Sequence, residues 1–171
     1  MSEYWKQQFR HRMTEFASRR DPNKNEVPVS IKVRVTSGCF HREHSPQAYR
    51  IIDKYLDSIP PEQIDCVLEE HESGPEVLVY LAVTTAGIAL AKSIVDLITT
   101  IIKARSEGIQ KGDHRRDALK LIIRRTRRNG EFIEEEVMQF ESHDPVLEIE
   151  IEESLNAAAS RVLQDELPND S

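Results

Sequence analysis

Asn129-Gly130 stands between two runs of opposite charge and matching hydropathy, residues 119–128 and 131–140. Asn-Gly is the dipeptide favoured for a two-residue type I′ hairpin, because both central positions of that turn need positive φ. With such a turn, each residue of the first arm faces the one equidistant from the turn on the second. The expected pairs are Arg128 with Glu131, Arg125 with Glu134, Arg124 with Glu135, Ile122 with Val137, Leu121 with Met138, and Leu119 with Phe140. Charges meet opposite charges and apolar residues meet apolar ones, each pair contributing roughly 0.2–1 kcal/mol. An antiparallel hairpin is the firmest element of the chain.

The other elements follow from periodicity. Residues 3–19 place Trp5, Phe9, Met13 and Phe16 on one face of a helix, with Lys6, Arg10, Arg12 and Arg19 elsewhere. Residues 27–35 alternate, Val29, Ile31, Val33 and Val35 against Ser30, Lys32 and Arg34, which predicts a half-buried strand. Ser45-Pro46 reads as an N-cap followed by proline at the first helical position. The helix it opens carries Ala48, Ile51, Ile52, Tyr55, Leu56 and Ile59, and ends at Pro60-Pro61. Ile64, Cys66 and Leu68 begin a second strand, and 77–82 a third, on either side of the turn signal Ser73-Gly74-Pro75. From about Thr84 the spacing predicts a helix with Ile88, Ala91, Ile94, Val95, Ile98, Ile101 and Ile102 inside. Lys92, Asp96, Thr99, Lys103 and Glu107 form its polar stripe. After Asp144-Pro145, Leu147, Ile151, Leu155, Ala158 and Val162 share a helical face, although 147–152 also alternate as a strand would.

This order predicts an α+β fold, a ferredoxin-like two-layer sandwich (βαββαβ) with an added C-terminal hairpin strand and helix and an N-terminal amphipathic helix. The expected divisions are a helical arm at 1–20, a linker at 21–26, one α+β domain at 27–166 and a frayed tail at 167–171.

Charge is segregated along the chain. Residues 103–128 hold ten basic and three acidic side chains, and residues 129–171 hold one and thirteen, within a total of -7 over 171 residues. The hairpin register assigns part of that contrast to folding. Lys111, Arg115, Arg116 and Arg127 receive no partner from it and form a candidate basic patch for nucleic acid or an anionic surface. No aromatic residue lies among them to stack a base. The aromatic face of the N-terminal helix, Trp5, Phe9, Met13 and Phe16, either packs on its own domain or is loose, or else it docks in a protein partner's groove or lies on an anionic membrane.

Several classes are set aside. Two cysteines exclude a disulfide scaffold, and residues 1–6 show no apolar stretch of a secretory signal, so a cytoplasmic location is expected. Residues 77–91 carry no charge, but a spanning helix needs about 20 apolar residues, and Lys92 and Asp96 interrupt the extension. Cys39, His41, Glu43 and His44 crowd one loop, yet Cys-x-His-x-x-His matches no usual structural zinc spacing. Cys66 falls at the opposite edge of the expected sheet, about 20 Å from Cys39. No phosphate loop, dinucleotide fingerprint, nucleophile elbow or zinc-protease motif is present, so neither an enzyme nor a cofactor is expected.

Residues 27–165 resemble the effector-associated constant component domains of prokaryotic conflict systems. The likeness is carried by Thr85-Ala86-Gly87-Ile88-Ala89-Leu90-Ala91, by 101–105, and by 119–137 around Asn129-Gly130. The resemblance implies a non-enzymatic adaptor or signal-coupling module of a bacterial cell, working beside separate effector proteins. Protein interaction or self-association is therefore the expected function, with nucleic-acid or anionic-surface binding through 103–128 as the alternative.

Overall fold

Val29, Ile31 and Val33 alternate along strand β1 (Glu26–Val35) and are fully buried, as their spacing predicts. Ser30 and Lys32 between them are buried too, so this strand is covered on both faces. The computed structural model describes residues 2–19, 26–35, 40, 42–60, 66–70, 76–84, 90–113, 118–127, 129–141 and 144–166. Helix α1 is Ser2–Ser18 and α2 is Pro46–Asp57; β2 (Cys66–Glu70) and β3 (Glu76–Thr84) follow, then α3 (Lys92–Gln110). Strands β4 (Leu119–Thr126) and β5 (Phe132–Phe140) precede α4 (Glu148–Val162) and a 3-10 turn at Gln164–Glu166. The five strands form one antiparallel sheet in the order β2-β3-β1-β4-β5.

The result is an α+β architecture with α2, α3 and α4 layered on one sheet face. Their aliphatic stripes meet Val29, Ile31, Val33, Val79, Leu81, Leu121 and Ile123 in the main core. Alternation sends neighbouring residues to the other face, where α1 lies. Phe9, Met13 and Phe16 of α1 form a small separate cluster with Val67 of β2 and Phe132 of β5. Cys66, Leu68 and Ile133, one residue away along the same strands, pack on the main core.

Two helix boundaries differ from their periodicity. The third strand continues through Thr84, paired with Glu26, and α3 begins only at Lys92. The β-branched and aromatic content of 77–84 suits a strand, and a full-length neighbour in β1 extends it. Thr99, expected on the polar stripe of α3, is buried because α2 and α4 flank that helix from two sides. The ambiguous 147–152 segment is helical from Glu148, with Glu148 and Glu150 in the first turn, where carboxylates favour the helix dipole.

The hairpin exists, but its turn is one residue longer than expected. Gly130 N–H donates to the Arg127 carbonyl at 2.9 Å, and Arg127 N–H donates to the Glu131 carbonyl at 2.7 Å. Gly130, at φ 87°, takes the left-handed conformation, and the Asn129 side chain accepts from Glu131 N–H. This is the three-residue hairpin loop with a left-handed glycine at its end. Register near the turn shifts accordingly: Arg124 faces Glu134, Arg125 faces Ile133 and Ile122 faces Glu136. A bulge between Leu121 and Ile122, with Val137 as the extra residue, restores the expected pairs Leu121 with Met138 and Leu119 with Phe140.

Alternation along β4 sends Arg124 and Arg125 to opposite faces, and neither keeps the glutamate that the equidistant register gave it. Arg125 points into the helical layer, 1% exposed, where it closes the end of α4. Its guanidinium donates to the Val162 carbonyl at 3.0 Å, to Asp165 at 2.8 Å and to Glu166 at 3.0 Å. A cation is favoured there by the helix terminus and two carboxylates together. Arg124 turns the other way and lies under α1, 4.4 Å from the Phe9 ring centroid. Glu135, expected opposite Arg124, bonds Arg161 of α4 at 2.5 Å.

Candidate functional site

Of the two groups of residues singled out by sequence, the structure describes Phe9, Met13, Phe16, Lys111 and Arg127. Phe9, Met13 and Phe16 are 0–6% exposed and spent on the chain's own sheet, with the Phe9 and Phe132 rings edge to face at 5.4 Å. The Trp5 side chain is outside the described residues. Within the basic segment, Lys103 and Lys111 are exposed on α3 and at its end, while Arg115 and Arg116 lie outside the described residues. Arg127 bonds Glu131 at 2.8 Å and sits at the far end of β4 from Leu119, about 26 Å away at ~3.3 Å per residue. Lys111 and Arg127 therefore do not converge, because α3 leads into the opposite end of that strand.

Cys39 and His41 also fall outside the described residues. Among those described, no group of three His, Cys, Asp or Glu side chains can hold a metal ion. No described helix is long and apolar enough to cross a membrane.

An ionic cluster joins α3 and α4 in the helical layer. Lys92 of α3 lies 3.5 Å from Asp96 and 3.4 Å from Glu148 of α4, which hold its ammonium above the usual lysine range, the Glu148 bond most of all. Beside them, burial pushes the Tyr55 phenol of α2 up, and the Asp96 carboxylate adds to the effect. On the outer side of α2, Arg42 bonds Asp53 at 2.6 Å and holds its carboxyl below the usual range. The Lys92–Glu148 contact fastens α3 to α4.

The other sheet face is different. Helix α1 crosses only one end of it: Arg10 donates to the Gly130 carbonyl at 2.9 Å, and Lys6 lies over the Phe132 ring. Towards the far end of β1, a shallow cavity of about 260 Å³ opens, lined by Arg34, Lys120, Ile122, Glu134 and Glu136. Lys120 and Glu136 approach to 3.8 Å across it, a weak exposed pair. Glu134 makes no ion pair with any described residue. Two cations and two carboxylates over one isoleucine make a mixed-charge shelf, with neither the depth nor the apolar lining of a usual small-molecule pocket.

The shelf ends at β5, the last strand of the sheet order among the described residues. Hydrogen bonding along an antiparallel pair alternates. Arg127 N–H to Glu131 C=O marks the bonded position at the turn, so Ile133 and Glu135 bond β4, while Phe132, Glu134 and Glu136 direct their backbone groups outward. The side chains exposed along β5 and its flanks are Glu131, Glu134, Glu136, Gln139 and Glu141. Among the described residues, β5 is thus an edge strand with an acidic border.

Sequence reasoning missed this edge because strand order is set by tertiary pairing; the Glu134-Glu135-Glu136 run reads only as a solvated face. It also missed Asp113, whose carboxylate accepts from Gln47 N–H at 3.0 Å and Ala48 N–H at 2.9 Å, capping α2 from the end of α3. Ser45, the expected cap, makes no side-chain bond to the helix. Comparison with protein-family models, curated proteins and solved structures finds no match to this chain.

Proposed function

We propose that this chain is a non-enzymatic protein-interaction module, an adaptor that presents one side of its sheet to a partner. The observation that carries this reading is the half-covered sheet face: α1 occupies one end and leaves the mixed-charge shelf and the open β5 edge at the other. Such a surface offers backbone groups and charge without a concave reaction chamber, which suits recognition of another chain. The order β1-α2-β2-β3-α3-β4, with the sheet neighbours β2-β3-β1-β4, supports a ferredoxin-like core to which β5, α4 and α1 are additions. The resemblance to effector-associated constant component domains supports a coupling role in the cytoplasm of a bacterial cell, beside a separate effector.

A photo-crosslinking residue placed at Glu136, compared with one at Lys103 on the exposed side of α3, tests the proposal in the cells that make the protein. A discrete adduct at Glu136 and none at Lys103 is expected. Absence of a discrete adduct at both positions contradicts an interaction role.

A further inference from the structure

We infer that the β5 edge takes an extended basic segment of another protein as a sixth strand, pairing at Glu134 and Glu136, beyond the stretch that α1 covers. The inference rests on the interaction reading and names the chemistry of its partner. Two outward-facing backbone positions, Glu134 and Glu136, supply donors and acceptors for a new ladder. The bulge at Val137 bends the strand and ends the straight stretch, so the landing strip is short.

The border of this strip selects its occupant. Side chains of an added strand opposite Glu134 and Glu136 fall on the same face as those carboxylates, at the rim of the shelf. Lysine or arginine at those alternate positions meets opposite charge. The position before them, opposite Ile133, falls on the helical side beside a half-buried side chain that packs on the main core, so an apolar residue there extends that core, while the position between them passes the Glu135–Arg161 pair. A second copy of β5 is a poor occupant. Antiparallel self-pairings centred on Glu134 or Glu135 set Glu134 against Glu134 or against Glu136, and like charges directly opposite destabilise a pair. The predicted ligand is therefore a strand that alternates basic and apolar residues.

Fluorescein-labelled alternating Lys-Val and alternating Glu-Val peptides are titrated into the full chain and followed by anisotropy. Tighter binding of the Lys-Val peptide, by tenfold or more, is expected. A Lys-Val peptide N-methylated at alternate amides keeps its charge but cannot complete a ladder, and should lose that binding. Glu134→Pro removes one outward N–H without touching the β4 pairing, as proline on an edge strand allows, and should weaken the peptide at least tenfold. The Glu134→Lys, Glu136→Lys double variant should reverse the preference between the peptides. Equal binding of the N-methylated peptide overturns strand addition, whether or not the proline variant folds. No binding of the Lys-Val peptide overturns it as well, leaving the acidic border as a guard against edge pairing. An adduct at Glu136 that persists in a folded Glu134→Pro variant overturns strand addition but leaves the interaction reading standing.

Discussion

Truncating Asp113 to alanine should cost more than an ordinary helix cap, although Asp113 lies outside the helix it caps. Helix α2 begins with Pro46, which has no N–H, and Tyr49 N–H already reaches the Ser45 carbonyl at 3.1 Å. The amides needing an outside acceptor are those of Gln47 and Ala48, and Asp113 accepts from both. An N-cap is typically worth about 1 kcal/mol. Here the acceptor is a carboxylate that is only 8% exposed, and Ala48 is fully buried. Bonds to a charged group contribute roughly 1.5–3 kcal/mol each, and water can replace part of the bond to the half-buried Gln47. The expected loss for Asp113→Ala is about 3 kcal/mol, or a fall in melting temperature of roughly 6–12 °C for a chain of this size. Urea unfolding followed by circular dichroism measures it, with Ser45→Ala as the control. Ser45 makes no side-chain cap, so its variant should stay within about 0.5 kcal/mol of the parent. A Ser45→Ala cost equal to or above that of Asp113→Ala would refute the reasoning.

Three further expectations follow from the same contacts. Gly108→Ala should destabilise by about 1–3 kcal/mol, because an added Cβ runs into Asp113 Oδ2 and sits 2.8 Å from Ala48 N, two atoms that bond each other; an unchanged urea midpoint would count against it. Phe9→Ala should cost about 3 kcal/mol of α1 docking, on the order of a hundredfold in the released population. Limited trypsinolysis at Arg10 and Arg12 reads that release, and an unchanged cleavage rate would contradict the packing of α1. Tyr55 should hold its proton above the ordinary value of 10.0, through burial first and the Asp96 carboxylate second. A raised folded-state pKa gives a stabilisation that is whole below pH 10 and lost as pH rises through the raised value. Alkaline titration of phenolate absorbance should therefore lose a component that titrates above the ordinary value in Tyr55→Phe; loss of a component at the ordinary value would refute this.

Elements with strong periodicity were legible without coordinates. The alternation in β1, the proline-opened helix α2 and the aliphatic face of α4 depend on residues close in sequence, and each appears where its pattern puts it. The hairpin was legible as a pairing, yet its register near the turn was not. Asn129-Gly130 satisfies both the two-residue and three-residue loops, and the choice moves Arg124 and Arg125 relative to their partners. The Val137 bulge then hides the difference at the outer end, where both registers agree on Leu119 with Phe140. Asp113 was beyond reach for a separate reason: its role comes from the approach of α2 to α3 at Gly108, a tertiary contact that no local pattern encodes. The candidate edge shares that limit. Composition told that 131–141 is acidic, but only strand order places it at the border of the sheet.

Amide hydrogen exchange along β5 in the free protein tests the central claim most directly, because it asks whether that border is open. Ile133 and Glu135, bonded to β4, should be protected, while Glu134 and Glu136 should exchange quickly, giving an alternation along the strand. Uniform protection from Phe132 to Glu136 would mean that the edge is already paired, and would contradict the account.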